Sequence, residues 1–173
     1  ISLIAAFCGL SFLLAIKITS KLSNFILHQF GGLHKFRILP TNSSLVSYTK
    51  LSPNHSGQRT HSIDRITPHC VVGQLSCESI CGCFTSPSRQ ASCNYGIGKD
   101  GRISLCVEEK NRSWCSSSNA NDQRAVTIEC ASDTKHPYTM NSTVYATLIK
   151  LCVDICKRNG KKKLIWLGNK KRL

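Results

Sequence analysis

The chain has 173 residues, room for one domain and an appendage but not for two full domains. Lysine and arginine total 23 against 9 acids, a net charge of +14 that suits a polyanionic partner: nucleic acid, an anionic membrane or an anionic cell wall. Eleven cysteines, an odd count, leave at least one free thiol in any oxidised form, and their positions argue against a paired CxxC zinc site.

The chain opens on Ile1 rather than Met, which reads as a fragment or a processed product. Residues 1–16, ISLIAAFCGLSFLLAI, carry no charge and are followed by Lys17 and Lys21. A spanning helix needs about 20 apolar residues, and the apolar pattern continues weakly through Phe25 to Leu27. The segment 1–30 therefore reads as an apolar helix of the signal or anchor kind, with membrane anchoring through residues 1–27 expected. Residues 31–60 hold Gly31-Gly32, Pro40, Asn42-Ser43-Ser44 and Pro53, and read as a polar linker. The folded domain is expected over 61–173.

From Ile66 the pattern is α/β. Ile66 to Val72 reads as a strand and Leu75 to Phe84 as a helix, with Leu75, Ile80, Cys81 and Phe84 turned inward. Cys77 and Cys81, like Cys152 and Cys156, stand four residues apart on one helix face, where small buried hydrophobes explain them at least as well as metal ligands do. Tyr95 to Ile97 and Arg102 to Val107 flank Lys99-Asp100-Gly101, a hairpin signal because Asp-Gly supplies the positive φ of a tight turn.

Asn111 to Asn121 is polar and leads into a strand, Ala125 to Cys130, that carries one acid, Glu129. A carboxylate there costs free energy unless it is paired, metal-bound or kept for chemistry. Asn141 or Ser142 caps a helix whose Val144, Leu148, Leu151, Cys152 and Ile155 recur at three- and four-residue steps, and Asn159-Gly160 ends it. Lys163 to Leu167 reads as a final strand. The last stretch, Lys157 to Arg172, holds eight basic residues and no acid, either a solvated helix end and tail or an anion contact. The elements together require a mixed central sheet flanked by helices.

His69 on the first strand, a helix, then NYGIGKDGRI (94–103), NRSW (111–114) and NDQRAVTIE (121–129) follow one another in an order that resembles the zinc-dependent N-acetylmuramoyl-L-alanine amidases of the type-2 amidase and peptidoglycan-recognition superfamily. The likeness covers roughly residues 60–168. It implies a mixed α/β amidase fold, a peptidoglycan or muropeptide substrate rather than nucleic acid, and a secreted or cell-surface enzyme. His69 falls at the family's histidine zinc ligand and Glu129 at its catalytic glutamate. Arg112 and Trp114 fall on the segment that lines the muropeptide groove. Asn119, Asn121 and Asp122 are turn formers first and glycan contacts second.

The chemistry so implied is attack of water on the amide that joins the muramoyl lactyl group to L-alanine. Zinc acidifies that water and polarises the carbonyl, while Glu129 takes the proton and returns it to the leaving amine. Some family members place a catalytic tyrosine just before the hairpin strand. That slot is Cys93 here, and simple alternation puts Tyr95 on the same sheet face as its substitute.

The family's second histidine and its third ligand lie beyond the strand expected at 163–167, so the Zn2+ site is expected to be incomplete in this chain, with weak or no binding. His55 and His61 in the linker, His136 in the DTKHPY loop and Cys70 beside His69 have no ligand-like spacing. Two other readings stand beside the amidase: a non-catalytic peptidoglycan-binding module on the same fold, and a basic, cysteine-rich, membrane-anchored interaction protein.

Overall fold

In the computed structural model, which describes residues 42–166, the chain runs β1 (Val46–Thr49), β2 (His55–Gln58), β3 (Arg65–Cys70), α1 (Cys77–Gly82), a short 3-10 turn at Pro87–Arg89, β4 (Tyr95–Ile97), β5 (Ile103–Leu105), β6 (Asn111–Ser113), α2 (Asn119–Asp122), β7 (Ala125–Cys130) and α3 (Ser142–Arg158). Five strands make one sheet in the order β1-β5-β4-β7-β3, and β2 pairs with β6 in a separate antiparallel ribbon. Within the large sheet only β4 and β5 run antiparallel; β1–β5, β4–β7 and β3–β7 are parallel. The sheet is mixed, as the sequence pattern requires.

The β4–β5 pairing follows from its short connection. Gly101 takes φ +81, and Asp100 Oδ1 accepts from Arg102 N at 3.1 Å, so the Asp-Gly pair closes the turn. A Cβ on Gly101 would stand 2.8 Å from both Thr143 Cγ2 and Thr147 Oγ1, which shows how closely the turn packs against α3.

Each face of the sheet has its own core. On one face Ile66, Tyr95, Ile97, Ile103, Val126, Ile128 and Cys130 meet Val144, Leu148, Leu151, Cys152, Ile155 and Cys156 of α3. The three- and four-residue spacing of those α3 positions puts them on one stripe, and each buried aliphatic side chain contributes about 1.5–3 kcal/mol. Asn141 caps the helix, its side chain accepting from Val144 N. On the other face Ile80, Cys81, Phe84, Cys93 and Cys106 form a smaller cluster around α1. Ser76 caps α1 and Glu78 lies in its first turn.

A disulfide, Cys81–Cys106, ties α1 to the segment that follows β5. Gly96 lets α1 approach: a Cβ there would lie 2.7 Å from Ile80 Cγ2 and from Ser104 Oγ.

Several expectations are corrected. Residues 46–49 and 55–58 are not linker but strands β1 and β2, held by pairing partners far along the chain, β5 and β6. Their own composition is polar, so only the tertiary pairing reveals them. Over 163–166 no strand forms; a single bridge stands at Ile165, and Leu167 lies outside the described residues. The apolar run at 1–27 also lies outside them, and among the described residues no helix is long and apolar enough to cross a membrane.

Candidate active site

β3 and β7 lie side by side in parallel, in a register that sets His69 opposite Glu129. Neighbouring positions in register point to the same face, and Ile128 and Cys130 already point to the α3 core. His69 and Glu129 therefore project to the α1 side. Gly96 is Glu129's partner across β4 and adds no side chain there.

The third member comes from a loop. Cys115 follows β6, and its backbone is pinned by a buried carboxylate: Asp122 Oδ2 accepts from Cys115 N at 3.0 Å and from Ser116 N at 3.1 Å. Ser116 Oγ and Asn121 Nδ2 donate to Asp122 Oδ1, and Asn121 Nδ2 also donates to Thr67 Oγ1 of β3 at 3.1 Å. This network, with α2 capped by Ser118, holds the 115–118 loop over the sheet.

A ring nitrogen of His69, the Cys115 sulfur and a Glu129 carboxylate oxygen all lie within 4.8 Å of one another. Cys115 Sγ donates to Glu129 Oε1 at 3.8 Å. His69 Nε2 is buried and has no hydrogen-bond partner among the described residues. A buried polar atom left without a partner needs an explanation such as an ion.

The electrostatics agree with that explanation. Burial lowers the pKa of His69, partly offset by Asp122, so the ring is held neutral, the form that binds metals. Burial raises the Glu129 carboxyl to about 7, opposed by the Cys115 hydrogen bond and by Arg89. Burial also pushes the Cys115 thiol well above its ordinary range, with Glu129 adding to the effect. That is the opposite of what a nucleophilic cysteine needs, whereas a cation at this spot would reverse it. The imidazole, thiol and carboxylate fit a divalent metal better than a cysteine nucleophile.

Arg112 of β6 and Trp114 just after it both reach Ser56 Oγ of the neighbouring ribbon segment β2: Arg112 Nη1 at 2.9 Å and Trp114 Nε1 at 2.7 Å. Both side chains are half-buried, and Cys115 is the next residue along the chain after Trp114. Asn119 is exposed on the first turn of α2, where its carbonyl accepts from Gln123 N, and Asn121 and Asp122 are buried supports of the loop.

Tyr95 is not brought to the cluster. It is fully buried in the α3 core, its hydroxyl donating to Glu109 Oε1 at 2.6 Å and accepting from Ser43 N at 2.8 Å. Cys93 packs in the α1 cluster, so 93 and 95 lie on opposite sides. Simple alternation fails because Cys93 precedes β4 and is not part of its pleat.

Of the other histidines, His55 accepts from Gly57 N through Nδ1, His61 is exposed beside Thr60, and His136 is exposed with its ring edge on Tyr138. Cys115 is the member that sequence reasoning missed. It lies 46 residues from His69 and 14 from Glu129, so no local spacing marks it; its place directly after Arg112-Ser113-Trp114 was the available signal.

A mixed sheet with this cluster on one face and helices against both defines an α/β enzyme of the amidase fold. The chain belongs to the N-acetylmuramoyl-L-alanine amidase family, whose sequence profile matches residues 58–166, and it is an enzyme that cleaves peptidoglycan at that amide. The match sets aside a chance ordering of motifs in an interaction protein.

Among solved structures, the fold is similar to a mutant endolysin from Bacillus subtilis, at 13% identity and TM-score 0.56, over 66% of this chain and 77% of that one. It is similar to the catalytic domain of XlyA at 13% identity and TM-score 0.53, over 66% and 78%. It is also similar to a selenomethionine derivative of AmpD at 16% identity and TM-score 0.51, over 68% and 76%. No curated protein sequence matches the chain.

Proposed function

We propose that this amidase works with a bound divalent metal, zinc by the family's habit, that His69 is one of its ligands, and that Glu129 is the general base. The observation that carries this reading is the register pairing of His69 with Glu129, which places a neutral imidazole with an orphaned buried nitrogen beside a carboxyl whose pKa is about 7. A metal in such a seat supplies Lewis acidity to the scissile carbonyl and eases deprotonation of water.

The chain's own residues do the rest. Glu129, with a pKa of about 7, takes the proton of the attacking water and then delivers it to the departing L-alanine nitrogen. The reaction consumes one water and yields a lactyl carboxylate and a free amine. Arg112 and Trp114 orient the muropeptide: the indole offers a flat apolar face to a sugar or lactyl group and the guanidinium a donor to a stem-peptide carboxylate. Asn119 lies farther along the same loop region and is assigned an outer contact to glycan.

The location of the substrate supports a secreted or cell-surface enzyme. The Cys81–Cys106 disulfide agrees, since such bonds persist in oxidising compartments.

Release of new amino termini from purified peptidoglycan tests the reading. Wild-type protein is expected to release them, chelator to abolish release, and Zn2+ to restore it. Glu129→Gln is expected to lower the rate by about 10²–10⁴-fold with an unchanged circular dichroism spectrum. Full activity in that variant would remove Glu129 as the base.

A further inference from the structure

We infer that Cys115 is itself a metal ligand, forming with His69 an imidazole–thiolate seat for a thiophilic divalent ion on the α1 face of the sheet. This rests on the reading of a metal at His69 and adds to it a second ligand, drawn from a different element. Three observations carry it.

The first is distance. In a tetrahedral site with Zn–S of about 2.3 Å and Zn–N of about 2.0–2.1 Å, the ligand atoms stand about 3.5 Å apart. The three donor atoms here lie within 4.8 Å of one another, so small side-chain rotations close the seat. The second is preorganisation. The backbone of Cys115 is fixed by Asp122 through two N–H bonds, and both oxygens of Asp122 are occupied in that task. Asp122 therefore supports the loop and leaves the sulfur as the donor that faces His69 and Glu129. The third is the buried Nε2 of His69, which has no partner among the described residues.

Sulfur and imidazole together select zinc, cobalt or cadmium over magnesium and calcium. On binding, the Cys115 S–H bond breaks, an S–metal bond forms, and the proton leaves to solvent. Glu129 keeps its role as base, at the edge of the seat.

The test is a Co2+ titration of the full chain, followed by absorption. Wild type is expected to bind one Co2+ and to show a near-ultraviolet thiolate-to-cobalt charge-transfer band. His69→Ala and Cys115→Ser are each expected to lose the band, and Cys115→Ser to bind Co2+ more weakly by at least the about 10–100-fold that loss of a mere supporting partner costs. Glu129→Gln is expected to keep the band. A band and affinity unchanged in Cys115→Ser would overturn the assignment.

A second measurement needs no variant: saturating Cd2+ should protect Cys115 of the wild type from alkylation, read by peptide mass spectrometry. Unchanged alkylation, or Cys115 found in a disulfide with Cys93 with and without Cd2+, would also overturn it. The two readings fail separately. Cobalt bound in a His69-dependent way without a thiolate band removes Cys115 alone, whereas no His69-dependent binding at all removes the metal reading and Cys115 with it.

Discussion

Tyr95 and Glu129 belong to neighbouring strands, yet one is a core residue and the other a member of the candidate cluster because their side chains leave opposite faces of the sheet. Tyr95 belongs to a buried hub: Glu109, with no exposed side-chain surface, accepts from the Tyr95 hydroxyl and from Arg158 Nη1 and Nη2 at 2.9 and 2.6 Å. Burial and the nearby Glu109 charge raise the Tyr95 pKa far above the ordinary tyrosine value, so the phenol stays protonated and serves as a donor. Tyr95→Phe removes that donor and leaves Ser43 N without its acceptor. It should destabilise the protein by about 1–3 kcal/mol in urea unfolding while leaving kcat on peptidoglycan within about twofold. A loss of kcat by orders of magnitude in a folded Tyr95→Phe protein would restore the tyrosine to catalysis.

At the scale of elements, the disulfide between α1 and the end of β5 closes a loop of 25 residues and anchors the helix that shelters the site. By the chain-entropy account such a loop stabilises by about 3–4 kcal/mol, so Cys81→Ala/Cys106→Ala should lower the urea midpoint accordingly. An unchanged midpoint would mean that the pair is not closed in solution. The elements were legible in the sequence in proportion to how much of their cause is local. α3 announces itself, because its cap, its apolar stripe and its Asn159-Gly160 end are all written within its own residues. The β4–β5 hairpin does so through Asp100-Gly101. β1 and β2 do not: VSYT and HSGQ are short and polar, and become strands only through partners more than 50 residues away. The strand expected after Lys163 fails for the converse reason: the apolar run there has, among the described residues, only one bridge, at Ile165.

Across the whole molecule, the site exists only where topology brings three distant segments together. The strands that carry His69 and Glu129 were legible in the sequence, whereas setting Cys115 beside them needed the crossing of the 115–118 loop over β3 and β7. That convergence has a thermodynamic cost that can be measured on metal-free protein. The Glu129 carboxyl titrates near the ordinary 4.5 when unfolded and at about 7 when folded. Between those values the folded state holds a proton that the unfolded state has released, so stability falls as pH rises from about 4.5 and levels off above about 7. The shift corresponds to a loss on the order of 3 kcal/mol across that window. Glu129→Gln cannot ionise and should flatten this part of the curve, gaining on wild type at pH 8 but not at pH 4. Urea unfolding in chelator at both pH values checks the difference between the two proteins. Parallel curves for wild type and Glu129→Gln would show that the acid is solvated rather than enclosed beside His69 and Cys115, and the site would have to be more open than its geometry implies.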